Sequence, residues 1–89
     1  MGFAVLLHPK AAKELDKLER QIKNRIIARL KDLRDKPETL GKILKPSGFW
    51  SLRIGDYRVI YEIDKPKKRV VVLFIGHRKK VYDDFSKLL

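Results

Sequence analysis

With 89 residues the chain holds a single domain, residues 1–89, because two cores would each be too small to offset the entropy of ordering them. Hydrophobic residues make up 44% and charged residues 37%, which excludes a disordered tail and leaves little uncharged polar surface. Lys and Arg number 22 against 11 Asp and Glu, a net charge of +11 that attracts nucleic acid or an acidic protein; no cysteine and two widely spaced histidines exclude disulfides and any recognisable metal ligand set, so no metal and no cofactor is expected.

The N-terminal apolar run Phe3 to Leu7 is too short to span a bilayer and carries neither a basic leader nor a small-residue cleavage site, so a cytoplasmic protein without a membrane partner is expected. It reads as a first strand, stopped by His8-Pro9. From Lys10 onward, Ala11, Leu15, Leu18, Ile22, Ile26, Leu30 and Leu33 keep one helical face dry until Lys36-Pro37. An unbroken helix would be about 39 Å long in a domain roughly 30 Å across, so a turn near Glu19 to Gln21 and an antiparallel helical hairpin are predicted. Glu38 to Gly48, with two glycines, a proline and no clear period, reads as a connecting loop.

The period then changes to two. Trp50, Leu52 and Ile54 alternate with Ser51 and Arg53, and beyond Gly55-Asp56 the residues Tyr57, Val59, Tyr61 and Ile63 alternate with Arg58, Ile60 and Glu62. A two-residue turn at Gly55-Asp56 sets Arg53 opposite Arg58, Leu52 opposite Val59 and Trp50 opposite Tyr61. One face, with Trp50, Leu52, Ile54, Tyr57, Val59 and Tyr61, is then available to the helices; the other carries Ser51, Arg53, Arg58 and Glu62 with Ile60 and is expected to stay open. Asp64 to Arg69 makes the next turn, Val70 to Ile75 is a strand covered on both faces or central in the sheet, and a short terminal helix follows Gly76.

Like charges directly opposite on a sheet cost a few tenths to about 1 kcal/mol. Covering an exposed face with arginine stems is one reading of the pair. The surplus of cations leaves too few acids to neutralise it, however, and planar forked donors match phosphate oxygens, which makes a phosphate site the better reading. After the last strand, His77 and Arg78 stand where side chains can converge on the open face, Tyr82 follows four residues on, and Lys79 and Lys80 extend the basic patch. His8 marks only a strand terminus.

"LRIGDYRVIYEI" followed by "VVVLFIGHRKKVYDDF" resembles the RelE branch of the RelE/ParE toxin superfamily, and the leading strand, helical hairpin and basic balance extend the likeness over nearly the whole chain. The resemblance implies an α+β fold, with an N-terminal strand and helical hairpin packed on a small, mainly antiparallel sheet and a short C-terminal helix. It also implies a type II toxin that cuts mRNA in the ribosomal A site until an acidic RelB-like antitoxin neutralises it in a hetero-oligomer. By position, Arg58 and Arg78 match the family's phosphate-binding arginines, Tyr82 its C-terminal tyrosine, and Arg53 one of two basic residues before the turn. Ser51 stands where some active members carry a second lysine, and His77 or Lys45 would be the residues to contribute in its place. In such a site the RNA supplies its own 2′-hydroxyl nucleophile. Arg53 and Arg58 would hold the scissile phosphate, Arg78 would stabilise developing charge or aid the leaving group, and Tyr82 would act as base or stacking platform, base duty requiring neighbouring cations that favour the phenolate. The rival readings are a ParE-like toxin that binds a topoisomerase without cutting RNA, and a non-toxic basic RNA-binding protein.

Overall fold

In the computed structural model, which describes residues 2–44 and 48–87, the elements in chain order are β1 (Ala4–Leu7), α1 (Pro9–Asp16), α2 (Arg20–Asp32), α3 (Pro37–Leu40), β2 (Lys42–Leu44), β3 (Phe49–Ile54), β4 (Tyr57–Asp64), β5 (Arg69–His77) and α4 (Arg78–Ser86). The five strands form one sheet in the order β1-β5-β4-β3-β2, antiparallel throughout except for the parallel pair β1 and β5. The α+β architecture expected from the sequence is the one observed. No described helix is long and apolar enough to cross a membrane.

A rod running from Lys10 to Lys36 would not fit a molecule whose longest dimension is 33 Å, and the helix does break. The break falls at Lys17–Glu19, slightly earlier than the spacing suggests: Leu18 N–H turns back to Leu15 O at 3.2 Å, and Arg20 and Gln21 already belong to α2. Pro9 opens α1, where a missing N–H costs nothing, and His8 caps it by accepting from Lys10 N–H at 3.2 Å. His8 therefore does more than end a strand. The segment Glu38 to Gly48 is not a plain loop either. It holds α3 and the edge strand β2, which pairs Lys42 with Ser51 and Leu44 with Phe49, because β3 offers an unpaired edge that a three-residue partner can satisfy whatever its own propensity.

The central hairpin takes the register the alternation predicts, with Arg53 opposite Arg58 and Trp50 opposite Tyr61. One face packs Ala11 and Leu15 of α1 and Ile26 and Leu30 of α2 against Leu52, Ile54, Val59, Tyr61, Val70 and Val72. In β5, Phe74 pairs with Ile60 but Val72 with Tyr61, so Leu73 is the extra residue of a bulge. The bulge explains the unbroken apolar run: it lets Val72 and Ile75 both reach the helical layer while Phe74 faces the opposite way.

That opposite face is not open as the sequence reading supposes. α4 folds across it, and Ile60, Phe74, Val81 and Phe85 form a second, smaller core. Phe85 makes edge-on contacts with Phe49 and Phe74, ring centroids 5.4 and 6.3 Å apart. Ser51 is consequently buried, 8% exposed, rather than on a free surface. The terminal helix itself is the one the sequence predicts; what its pattern does not assign is the face, since its apolar pair, Val81 and Phe85, is too short for periodicity alone.

Candidate functional site

The site lies at the end of the sheet where the β3–β4 turn meets the start of α4. Gly55 has φ +60°, and no non-glycine residue of this turn is left-handed, the arrangement of a tight hairpin turn with glycine in its first central position. The turn brings Arg53, Arg58 and Gly76 into one row across three strands. Arg58 folds its head back on the turn, Nη1 donating to Gly55 O at 2.8 Å and Tyr57 O at 2.9 Å. Both protons of that nitrogen are thereby committed, and Nε and Nη2 remain as the fork for a ligand. Arg78 is anchored on the next carbonyl, its backbone N–H donating to Asp56 O at 2.8 Å. Arg58 by its guanidinium and Arg78 by its backbone, far apart in sequence but at neighbouring strand ends, are thus held on consecutive carbonyls of one turn.

α4 starts at Arg78 and is capped by His77, whose Nδ1 accepts from Lys79 N–H at 3.4 Å while its ring lies edge-on to Tyr57 at 5.8 Å. The helix can cross the sheet here because residue 76 is glycine: a Cβ at that position would stand 3.1 Å from Val81 Cγ2, inside comfortable packing distance. One residue beyond Val81, Tyr82 reaches over to β3, its hydroxyl 3.1 Å from Ser51 Oγ. Ser51 lies two residues from Arg53 on the same face of the strand, so a phenol and the paired arginines share one surface. The bond links residues 31 apart in sequence, and no local pattern announces it.

The patch is strongly electropositive. Among the described residues no carboxylate lies within ion-pair distance of Arg53, Arg58, Arg78 or Lys79, and Arg53, Arg78 and Lys79 are exposed. Three cations in the first turn of α4, with no acid among them, oppose the helix dipole and favour an anion there. Lys80 is separate: it turns to α1 and pairs with Glu14 at 3.5 Å, while Lys10 approaches Asp84 at 3.9 Å, two exposed ties between α1 and α4. Lys45 lies outside the described residues. Arg25 of α2, which no sequence pattern singles out, also belongs to this end of the molecule: its Nη2 lies 3.5 Å from where a Gly55 Cβ would be. The shifted titrations lie elsewhere. Burial pushes the Tyr61 phenol, beneath the helical layer, up to about 12, and the Lys67 backbone N–H, followed by Arg69, holds the Asp64 carboxyl below its usual range.

The α+β frame that carries these arginines is found again in solved bacterial and archaeal RelE-RelB structures. The chain belongs to the RelE/ParE family of type II toxin-antitoxin toxins: the family model described as the ParE toxin of the parDE system matches residues 5–82. It is 33% identical over 85 residues to Toxin RelG of Mycobacterium tuberculosis, covering 92% of this chain and 98% of that protein. Toxin RelE of the same organism is 34% identical over 83 residues, 90% of this chain and 86% of the relative. Among solved structures, the M. tuberculosis toxin-antitoxin complex RelBE2 superposes with a TM-score of 0.81 at 31% identity, over 86% of this chain and 99% of that one.

Proposed function

We propose that this toxin is a ribosome-dependent endoribonuclease that cleaves mRNA in the A site and is held inactive by an acidic RelB-like antitoxin. One observation carries the reading: the Arg58 guanidinium and the Arg78 backbone N–H are held on adjacent carbonyls of one turn, on the edge of a surface that also holds Arg53 and the Tyr82 hydroxyl. In the reaction the ribose 2′-oxygen attacks phosphorus, loses its proton to a base, and displaces the 5′-oxygen, which takes up a proton, leaving a cyclic phosphate. Arg53 and the free fork of Arg58 bind the phosphate oxygens as negative charge grows on them; Arg78, at the mouth of the site, stabilises the departing oxygen. Tyr82 stands on the nucleophile side or under a base, with Ser51 orienting its hydroxyl. His77 and Lys79 contribute at the rim, and Lys80, paired with Glu14, stands back from it. A site with so few groups needs its substrate presented, and the ribosome supplies that alignment.

Charge and precedent support the antitoxin. A chain of net charge +11 suits an acidic partner, and the RelBE2 relative is solved as a toxin-antitoxin complex. The test is to incubate the purified protein with programmed ribosomes and map message ends. Cuts within the A-site codon, abolished by Arg58→Ala in a protein of unchanged fold, are expected; each lost charge-assisted contact costs about 1.5–3 kcal/mol, or roughly 10- to 150-fold in rate. Intact message with a blocked topoisomerase would overturn the proposal in favour of the ParE-like alternative.

A further inference from the structure

We propose that Arg25 forms a second phosphodiester subsite, gripping RNA next to the segment held by Arg53 and Arg58. This rests on the RNA-binding part of the function proposed above but not on cleavage. Three observations meet at the Gly55 turn. First, the Arg25 guanidinium lies against it, Nη2 and Nη1 being 3.5 and 3.9 Å from the position of a Gly55 Cβ, within van der Waals reach of the turn. Second, the flanking cations of α2 are satisfied, Lys23 by Asp16 at 3.1 Å and Arg29 by Asp32 at 3.2 Å. Arg25 is exposed and, among the described residues, has no carboxylate within ion-pair distance. Third, Gly55 O is the acceptor that orients Arg58, so heads from α2 and β4 both rest on one residue.

Arg25 and Arg58 reach the turn from opposite sides. α2 belongs to the layer that buries Ile54, whereas Arg53 and Arg58 share the face that carries Ser51 and Ile60. The two heads therefore come to the tip from the two faces of the sheet. A strand crossing the hairpin tip presents successive phosphates first to one and then to the other. Gathering unneutralised guanidinium groups from α2, β3, β4 and α4 at one tip disfavours the free state, and a polyanion lying over the tip removes that cost. The ligand chemistry is an RNA phosphodiester, from the message or from the ribosome.

The test is the salt dependence of binding. A fluorescent single-stranded RNA with every 2′-hydroxyl methylated cannot be cut and represents the message; vacant ribosomes are the second arm. Arg25→Ala, on an exposed helical position that tolerates alanine, should weaken binding roughly three- to tenfold in at least one arm and flatten the log–log salt slope there by about 0.7. Arg25→Lys, which keeps the charge, should retain the slope. An unchanged slope for Arg25→Ala in both arms, or an equal loss for Arg25→Lys, overturns the subsite. Wild-type protein that cuts no message yet shows the Arg25 effect would defeat the nuclease reading and leave the subsite standing.

Discussion

Phe85 decides whether α4 stays on the sheet, and Phe85→Ala should therefore release that helix without unfolding the domain. The ring is 6% exposed and sits edge-on between Phe49 and Phe74, over the second core. Truncating such a phenylalanine costs about 3–5 kcal/mol. What else holds α4 is smaller contact by contact: Val81 contributes about 1.5–3 kcal/mol of burial, the Tyr82–Ser51 bond about 0.5–1.5 kcal/mol, and the exposed pairs with α1 about 0–1 kcal/mol each. The main core, between the helical hairpin and the sheet, does not include Phe85. Opening of α4 should rise by roughly a hundred- to several-thousand-fold, since each 1.4 kcal/mol is about a factor of ten. Amide hydrogen exchange checks it: protection should vanish from residues 81–86 while the β4–β5 ladder stays protected, and message cleavage should fall because Tyr82 leaves with the helix. Equal loss of protection in α4 and in the central strands would show that the two cores melt as one unit and refute the reasoning.

Two further outcomes are expected. Ser51→Ala removes the partner of the half-exposed Tyr82 hydroxyl, which water can replace, so global stability should change by no more than about 1 kcal/mol while the maximal cleavage rate drops, with Ser51→Thr restoring it; a cleavage rate equal to wild type sinks the positioning role. Tyr61, whose hydroxyl donates to Pro37 O at 2.6 Å, is held protonated by burial up to about 12, whereas the unfolded chain releases that proton near its ordinary value, so the unfolded state binds fewer protons above about pH 10 and stability falls until about pH 12. Denaturant titrations should show Tyr61→Phe less stable at neutral pH by about 1–3 kcal/mol, for the lost bond to a buried carbonyl, but with a shallower decline above pH 10; parallel pH curves would refute it.

The amino-acid sequence by itself determined the central hairpin, its register and the pairing of Arg53 with Arg58, because a period of two and a Gly-Asp turn are local properties that leave one solution for which residues share a face. Helical spacing with a limit on molecular size likewise determined that the long apolar stripe must break, to within a residue or two. Only the tertiary structure decided that β2 is a strand, since its three residues take that form from the unpaired edge of β3, and that Leu73 bulges, since a continuous apolar run looks the same with or without an extra residue. It also decided the site. Ser51 meets Tyr82, and Arg25 meets Gly55, across distances in sequence that no periodicity spans: α4 lies down on the sheet because Gly76 makes room for Val81 and Phe85 finds two aromatic neighbours, and these are conditions set by the packing of separate elements rather than by any one of them.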